Sequence, residues 1–256
     1  MGKFILLFVM LFPAQMHGQV KSLDTLKVNS DRPDETDGTY VIEKGYLQLE
    51  HGISFLKESG SPHSVYTYGL EDVALRLGIA KKVEFQLLYL LARRYEGEIT
   101  AKETGIASTM FALKYQVVSQ KGILPSFSVT GGVNLPYLAS RTFRNRYIHY
   151  SAAILFEHEF NQSEIGYNIG VNMERSQPAE WVYAICYSRE LSEKFKAYIE
   201  NYITVQQHAA EINLNGGLAY SLNNLLAFDI ATGISLNHNA QYFTVGFAYL
   251  IPKKLF

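Results

Sequence analysis

The sequence predicts an all-β protein: a transmembrane, antiparallel, up-and-down β-barrel of about twelve strands. Three observations predict it. From about Gly45 to Phe256, apolar and polar residues alternate in runs separated by turns. One face of these runs is persistently apolar while the other carries charges and glycines, which no oily interior would accept. The amino terminus also reads as an export signal.

That signal occupies residues 1–18. Lys3 precedes an apolar run from Phe4 to Phe12, and the small residues Ala14 and Gly18 come before the polar Gln19. This order of charge, apolar stretch and small residues is that of a cleaved secretory peptide. Cys186 is the only thiol, so an internal disulfide cannot form. After the signal, no stretch approaches the roughly 20 apolar residues that a spanning helix requires. The net charge of −1 argues against a basic surface for nucleic acid.

Residues 19–44 do not alternate. They hold a charged run with Asp31, Arg32, Asp34, Glu35 and Asp37 around Pro33. A periplasmic leader is the simpler reading. The mixed signs also suit a plug or gate folded into the lumen, through Asp31, Arg32, Asp34 and Glu35.

Residues 45–256 form the barrel. Strands are expected at about 46–56, 64–79, 82–94, 105–118, 123–135, 147–160, 164–174, 180–190, 194–204, 209–220, 224–235 and 241–251. An even number returns both ends to the periplasmic side. Short turns at 80–82, 120–122, 161–163, 192–194 and 222–224 alternate with longer connections such as 57–63, 95–104, 136–146 and 235–241. A soluble sandwich would alternate too, but its strands are typically only 5 or 6 residues long and it needs no closure.

Parity assigns the faces. Val83, Phe85, Leu87, Trp181, Tyr183, Ile185, Phe228 and Ile230 point to lipid. Glu50, Asp72, Arg76, Glu84, Lys114, Glu157, Glu159, Lys196, Glu200 and Asp229 then line the lumen, because charges of both signs cannot meet hydrocarbon. They either brace a filled interior or border a wet path. The alternation stops at Pro252, which cannot donate to a ladder, so the last strand should end near Ile251 although the chain closes on an aromatic, Phe256.

Ser30-Asp31-Arg32-Pro33-Asp34, followed by Lys44-Gly45 and the Gln48, Glu50, Gly52 series, resembles the opening of a family of outer-membrane transporters named after a meta-cleavage pathway of phenol degradation. The likeness implies a barrel that passes small, often hydrophobic, compounds. The partners implied are outer-membrane lipids, the barrel assembly machinery and a small-molecule solute.

No catalytic, cofactor or metal site is assigned. His149 and His158 share a strand but differ in parity, and His208 and His238 are single loop histidines. Passive transport is the leading expectation. A non-conducting structural or binding barrel, and a lipid-modifying enzyme, are the alternatives.

Overall fold

The computed structural model describes residues 26–59, 64–96, 101–175, 177–207 and 209–256. The export signal at 1–18 and His208 lie outside the described residues. Twelve strands run in order: β1 Leu47–Ser59, β2 Ser64–Ala80, β3 Val83–Glu96, β4 Ala101–Val118, β5 Ser126–Asn134, β6 His149–Phe160, β7 Ser163–Glu174, β8 Glu180–Glu190, β9 Phe195–Gln206, β10 Ala209–Asn223, β11 Leu226–Ser235 and β12 Ala240–Ile251. Each pairs antiparallel with its neighbours in sequence, and β1 pairs with β12, so the sheet closes on itself. Closure leaves no edge, the condition that hydrocarbon imposes on strands. No helix among the described residues is long and apolar enough to cross a membrane.

All twelve expected strands are present, with two informative shifts. β5 starts at Ser126 rather than near 123, because Gly122 adopts φ +60°, Lys121 bridges Leu124 in a tight turn, and Pro125 offers no donor. β3 and β4 run beyond the expected loop at 95–104 and pair as far as Glu96 with Ala101. Charges at 93–96 end the apolar alternation without ending the backbone ladder. β12 stops at Ile251 as Pro252 requires, and the tail folds back so that the Leu255 amide donates to the Gly45 carbonyl.

Burial is inverted relative to a soluble protein. Ile185 is 53 % exposed on the outer face, and its outward neighbours Trp181 and Tyr183 are exposed too. Arg76, Glu84, Lys114 and Glu200, all inward, are at most 2 % exposed. The apolar belt is therefore a surface that only lipid can cover. Ile185 lies at the middle of β8, and Ile185→Arg should cost about 2–4 kcal/mol of folding free energy in bilayers. The same charge at inward Ala184 should cost less, because it meets the polar lumen. Denaturant titration in vesicles checks the difference.

Between β5 and β6, two 3₁₀ turns, Pro136–Leu138 and Arg141–Phe143, fold back along β4. β5 ends opposite Met110, so the upper part of β4 has no ladder partner on that side. The loop supplies one: the Leu135 amide donates to Thr109, Ser140 donates to the Ile106 carbonyl, and the Ser140 hydroxyl accepts the Ile106 amide.

Candidate functional site: the segment inside the barrel

Residues 28–44 enter the barrel from the short-turn end, rise, cross the lumen and return to β1. Val28 donates to the Asn224 carbonyl at the β10–β11 turn. Leu26, Val28, Ile42 and Tyr46 then bury themselves against Ala248 and Leu250. This apolar cluster ties both limbs to the wall, and above it the segment's own contacts are polar.

Arg32 marks the first crossing. Its guanidinium lies 2.7 Å from Asp72 Oδ2 and 3.3 Å from Asp229 Oδ1, and donates to Thr244 Oγ1 at 3.0 Å. It rests over Gly52 and Gly246, which face each other across the β1–β12 seam; a Cβ on either would collide with the guanidinium. Burial would weaken the Arg32 charge, but Asp229 and Asp72 outweigh it and hold the group charged.

Arg76 holds both limbs. Its Nε and Nη2 grip Glu84, its Nη1 pairs with Glu50 at 2.8 Å and with Asp31 at 3.1 Å, and further donors reach the carbonyls of Asn29 and Tyr40. Lys114 donates to Asp31 at 2.5 Å and to the Gly38 carbonyl. Glu84 also accepts the Ile42 amide. Burial alone would raise the Asp31 carboxyl, yet the Arg76 and Lys114 charges leave it below the ordinary value.

The far wall receives the turn of the segment. Glu200 accepts the Glu35 amide, the Thr36 hydroxyl and the Asn215 amide group. Asn168 donates to the Asp37 carbonyl, while Glu157 accepts the Thr39 amide and Ser128 donates to the Thr39 carbonyl. These contacts, with those of Arg32 and Arg76, engage strands on every side of the barrel.

Ten inward residues were expected from parity, and eight of them meet the segment or its immediate partners: Glu50, Asp72, Arg76, Glu84, Lys114, Glu157, Glu200 and Asp229. Lys196 instead pairs with Glu164 at 3.0 Å. Glu159 is exposed at the short-turn rim, where it lies within 4.8 Å of Glu157 and Glu164. The Lys196 ammonium already supplies a cation beside these carboxylates. Sequence reasoning missed Thr36, Thr39, Ser126, Ser128 and Glu164. The serines and Glu164 stand at inward parity, but short uncharged side chains and strand ends carry little signal.

Not every acid of the segment has a cation. Enclosure by the barrel first, then Glu200, push Glu35 up to about 7, although its side chain is exposed to the outer cavity. Burial first, then Asp31, push Asp37 up to about 6. Asp34 is raised well above its usual range by burial and Glu200, despite a hydrogen bond with Cys186.

Two cavities flank the segment. The inner one, about 430 Å3, opens among the short turns, and the outer one, about 550 Å3, opens toward the loops. Arg32 and Asp34 line both.

A closed barrel with an apolar exterior and a charged interior defines an integral outer-membrane protein. The chain belongs to the family described as "Putative MetA-pathway of phenol degradation", whose model matches residues 30–251. Among solved structures, an outer-membrane channel from Pseudomonas putida F1 superposes with a TM-score of 0.71 at 7 % identity, covering 86 % of this chain and 100 % of that one. The NanC porin gives 0.53 at 8 % identity over 79 % and 98 %, and the KdgM porin 0.52 at 9 % over 77 % and 98 %. At these identities the likeness is one of fold. Comparison with curated protein sequences finds no match.

Proposed function

We propose that the protein is a passive outer-membrane channel for small solutes with an apolar body, closed at rest by the segment 28–44 acting as a plug. One observation carries the reading: the segment separates two cavities and, above its apolar base, is docked by ion pairs. A purely structural barrel of this size has no need of open space on both sides of such a segment. The inward charges then act as the plug's seat. The reading assigns no reaction and no cofactor. His149 pairs inward with Glu174, and His158 points to the lipid face.

Locking the plug tests this. Thr39 Oγ1 and Ser126 Oγ lie 2.7 Å apart, so T39C with S126C in a C186S background should form a disulfide. Planar-bilayer conductance is expected to be minimal when the pair is oxidised and to recover on reduction. Deletion of 22–42 should raise it further. No current in any of these states would sink the channel in favour of a non-conducting barrel, and hydrolysis of labelled phospholipid by the purified protein would favour a lipid-modifying enzyme.

A further inference from the structure

The outer cavity has two chemically distinct sides. Leu88 and Leu90 of β3 and Met110 of the neighbouring β4 give one wall an apolar strip, with Val182 of β8 across the lumen. Its floor is the segment 28–44, and the lining as a whole carries six acidic side chains against two arginines. Those arginines are already engaged: Arg76 by Glu50, Glu84 and Asp31, and Arg32 by Asp72 and Asp229. Glu35 and Asp37 remain without an ion pair of their own, and enclosure in the barrel first, then neighbouring carboxylates, hold both above their ordinary range.

An independent feature points the same way. Asn168 is 8 % exposed and spends its Nδ2 on the Asp37 carbonyl, which fixes its amide so that Oδ1 is the remaining polar atom. That oxygen has no partner among the described residues, and neither does Asp72 Oδ1. Both belong to residues that line the outer cavity, and both are acceptors. A buried acceptor without a donor calls for an occupant that brings one. The cavity therefore offers apolar contact, negative charge and unused acceptors, and its lining carries no free cation among the described residues.

We propose that the outer cavity binds small apolar amines, with the hydrocarbon or aromatic body against Leu88, Leu90 and Met110 and the ammonium directed at Glu35, Asp37 and Asn168 Oδ1. The site deepens the channel reading, on which it rests for a route through the barrel, but binding itself is independent of flux. A cation here relieves the crowding of the carboxylates, whereas a carboxylate solute adds to it. A neutral alcohol of the same shape can donate to the acceptors without supplying charge.

The test uses the full-length protein in nanodiscs and three probes of matched size: 2-phenylethylamine, 2-phenylethanol and phenylacetate. Titration calorimetry is expected to rank them in that order, with the amine bound at least about tenfold more tightly than the acid. E35Q with D37N should lower amine affinity by about tenfold and leave the alcohol unchanged. If the double variant migrates as unfolded barrel in unheated gels, E35Q alone carries the comparison. Equal affinity for amine and acid, or an amine affinity that the variants do not move, overturns the proposal. Amine binding without flux in liposome swelling would instead defeat the channel reading and leave the site standing. Flux of an uncharged probe without amine binding would do the reverse.

Discussion

Replacing Arg76 with Met should destabilise the protein by about 3–5 kcal/mol and release the segment 28–44 from the lumen. The cost follows from what is left behind. Arg76 is 2 % exposed and is the shared counter-charge of Glu50, Glu84 and Asp31. Removing it leaves three carboxylates without their shared counter-charge, two of them at most 2 % exposed, and takes a donor from the carbonyls of Asn29 and Tyr40 on the two limbs, although Gln48 still donates to Asn29. Lys114 is left to balance all of them alone. The measurement is denaturant unfolding in bilayers combined with single-channel recording. Lower stability together with higher conductance is expected. Adding Glu84→Gln to the same chain should recover part of the stability, since one of the stranded charges is then absent. Unchanged conductance would mean that the segment stays seated without its main anchor.

Raising the pH from about 5 to 8 should loosen the same segment, in the opposite sense to a simple ion-paired plug. Glu35 and Asp37 have docked values of about 7 and about 6, above the ordinary carboxyl values of 4.5 and 3.8, and Asp34 is shifted the same way. A carboxyl whose docked value is raised favours docking most fully below its free value, and that contribution is lost as pH rises through the docked value. The window is therefore about 4 to 7. Asp31 behaves conversely: its value is lowered by Arg76 and Lys114, so its contribution disappears only as pH falls below the ordinary aspartate range. Glu35 is reachable from the outer cavity, and water there screens part of the repulsion. The docking constant should still fall by roughly tenfold across the window. Single-channel open probability against pH checks this, and E35Q should flatten the profile. A profile that stays flat from pH 8 to 5 and rises only below the ordinary aspartate value of 3.8 would show that Asp31, not Glu35 and Asp37, governs docking.

The barrel was legible because period two is a property of the chain alone. Glu84 is turned inward by counting from Phe85, and its side chain is fully buried within the barrel. The end of β12 followed from a single proline. The interior was less legible, for a physical reason. The run from Asp31 to Asp37 has no period, so nothing in it says which carboxylate meets which cation, and a leader and a lumenal segment have the same composition. The pairing of Asp31 with Arg76 and Lys114, but not of Glu35 with any cation, is decided by where two limbs of backbone cross a closed ring. Glu200 shows the limit well. Parity turned it inward, yet its bonds to the Glu35 amide and the Thr36 hydroxyl depend on the height at which the segment turns.

The place where Arg32 lies carries a consequence for assembly. Gly52 and Gly246 are partners across the join between the first strand and the last, and Asp72 and Asp229 flank that join from the next strand on either side. A slip of one residue along the join would put a side chain where each glycine stands and would turn every neighbour to the opposite face. The guanidinium thus acts as a gauge of register: it fits only when the sheet has closed in the native alignment. Since the segment precedes β1 in the chain, it can be in place before β12 arrives, and the final hairpin then completes the barrel around a residue that accepts one alignment and rejects its neighbours.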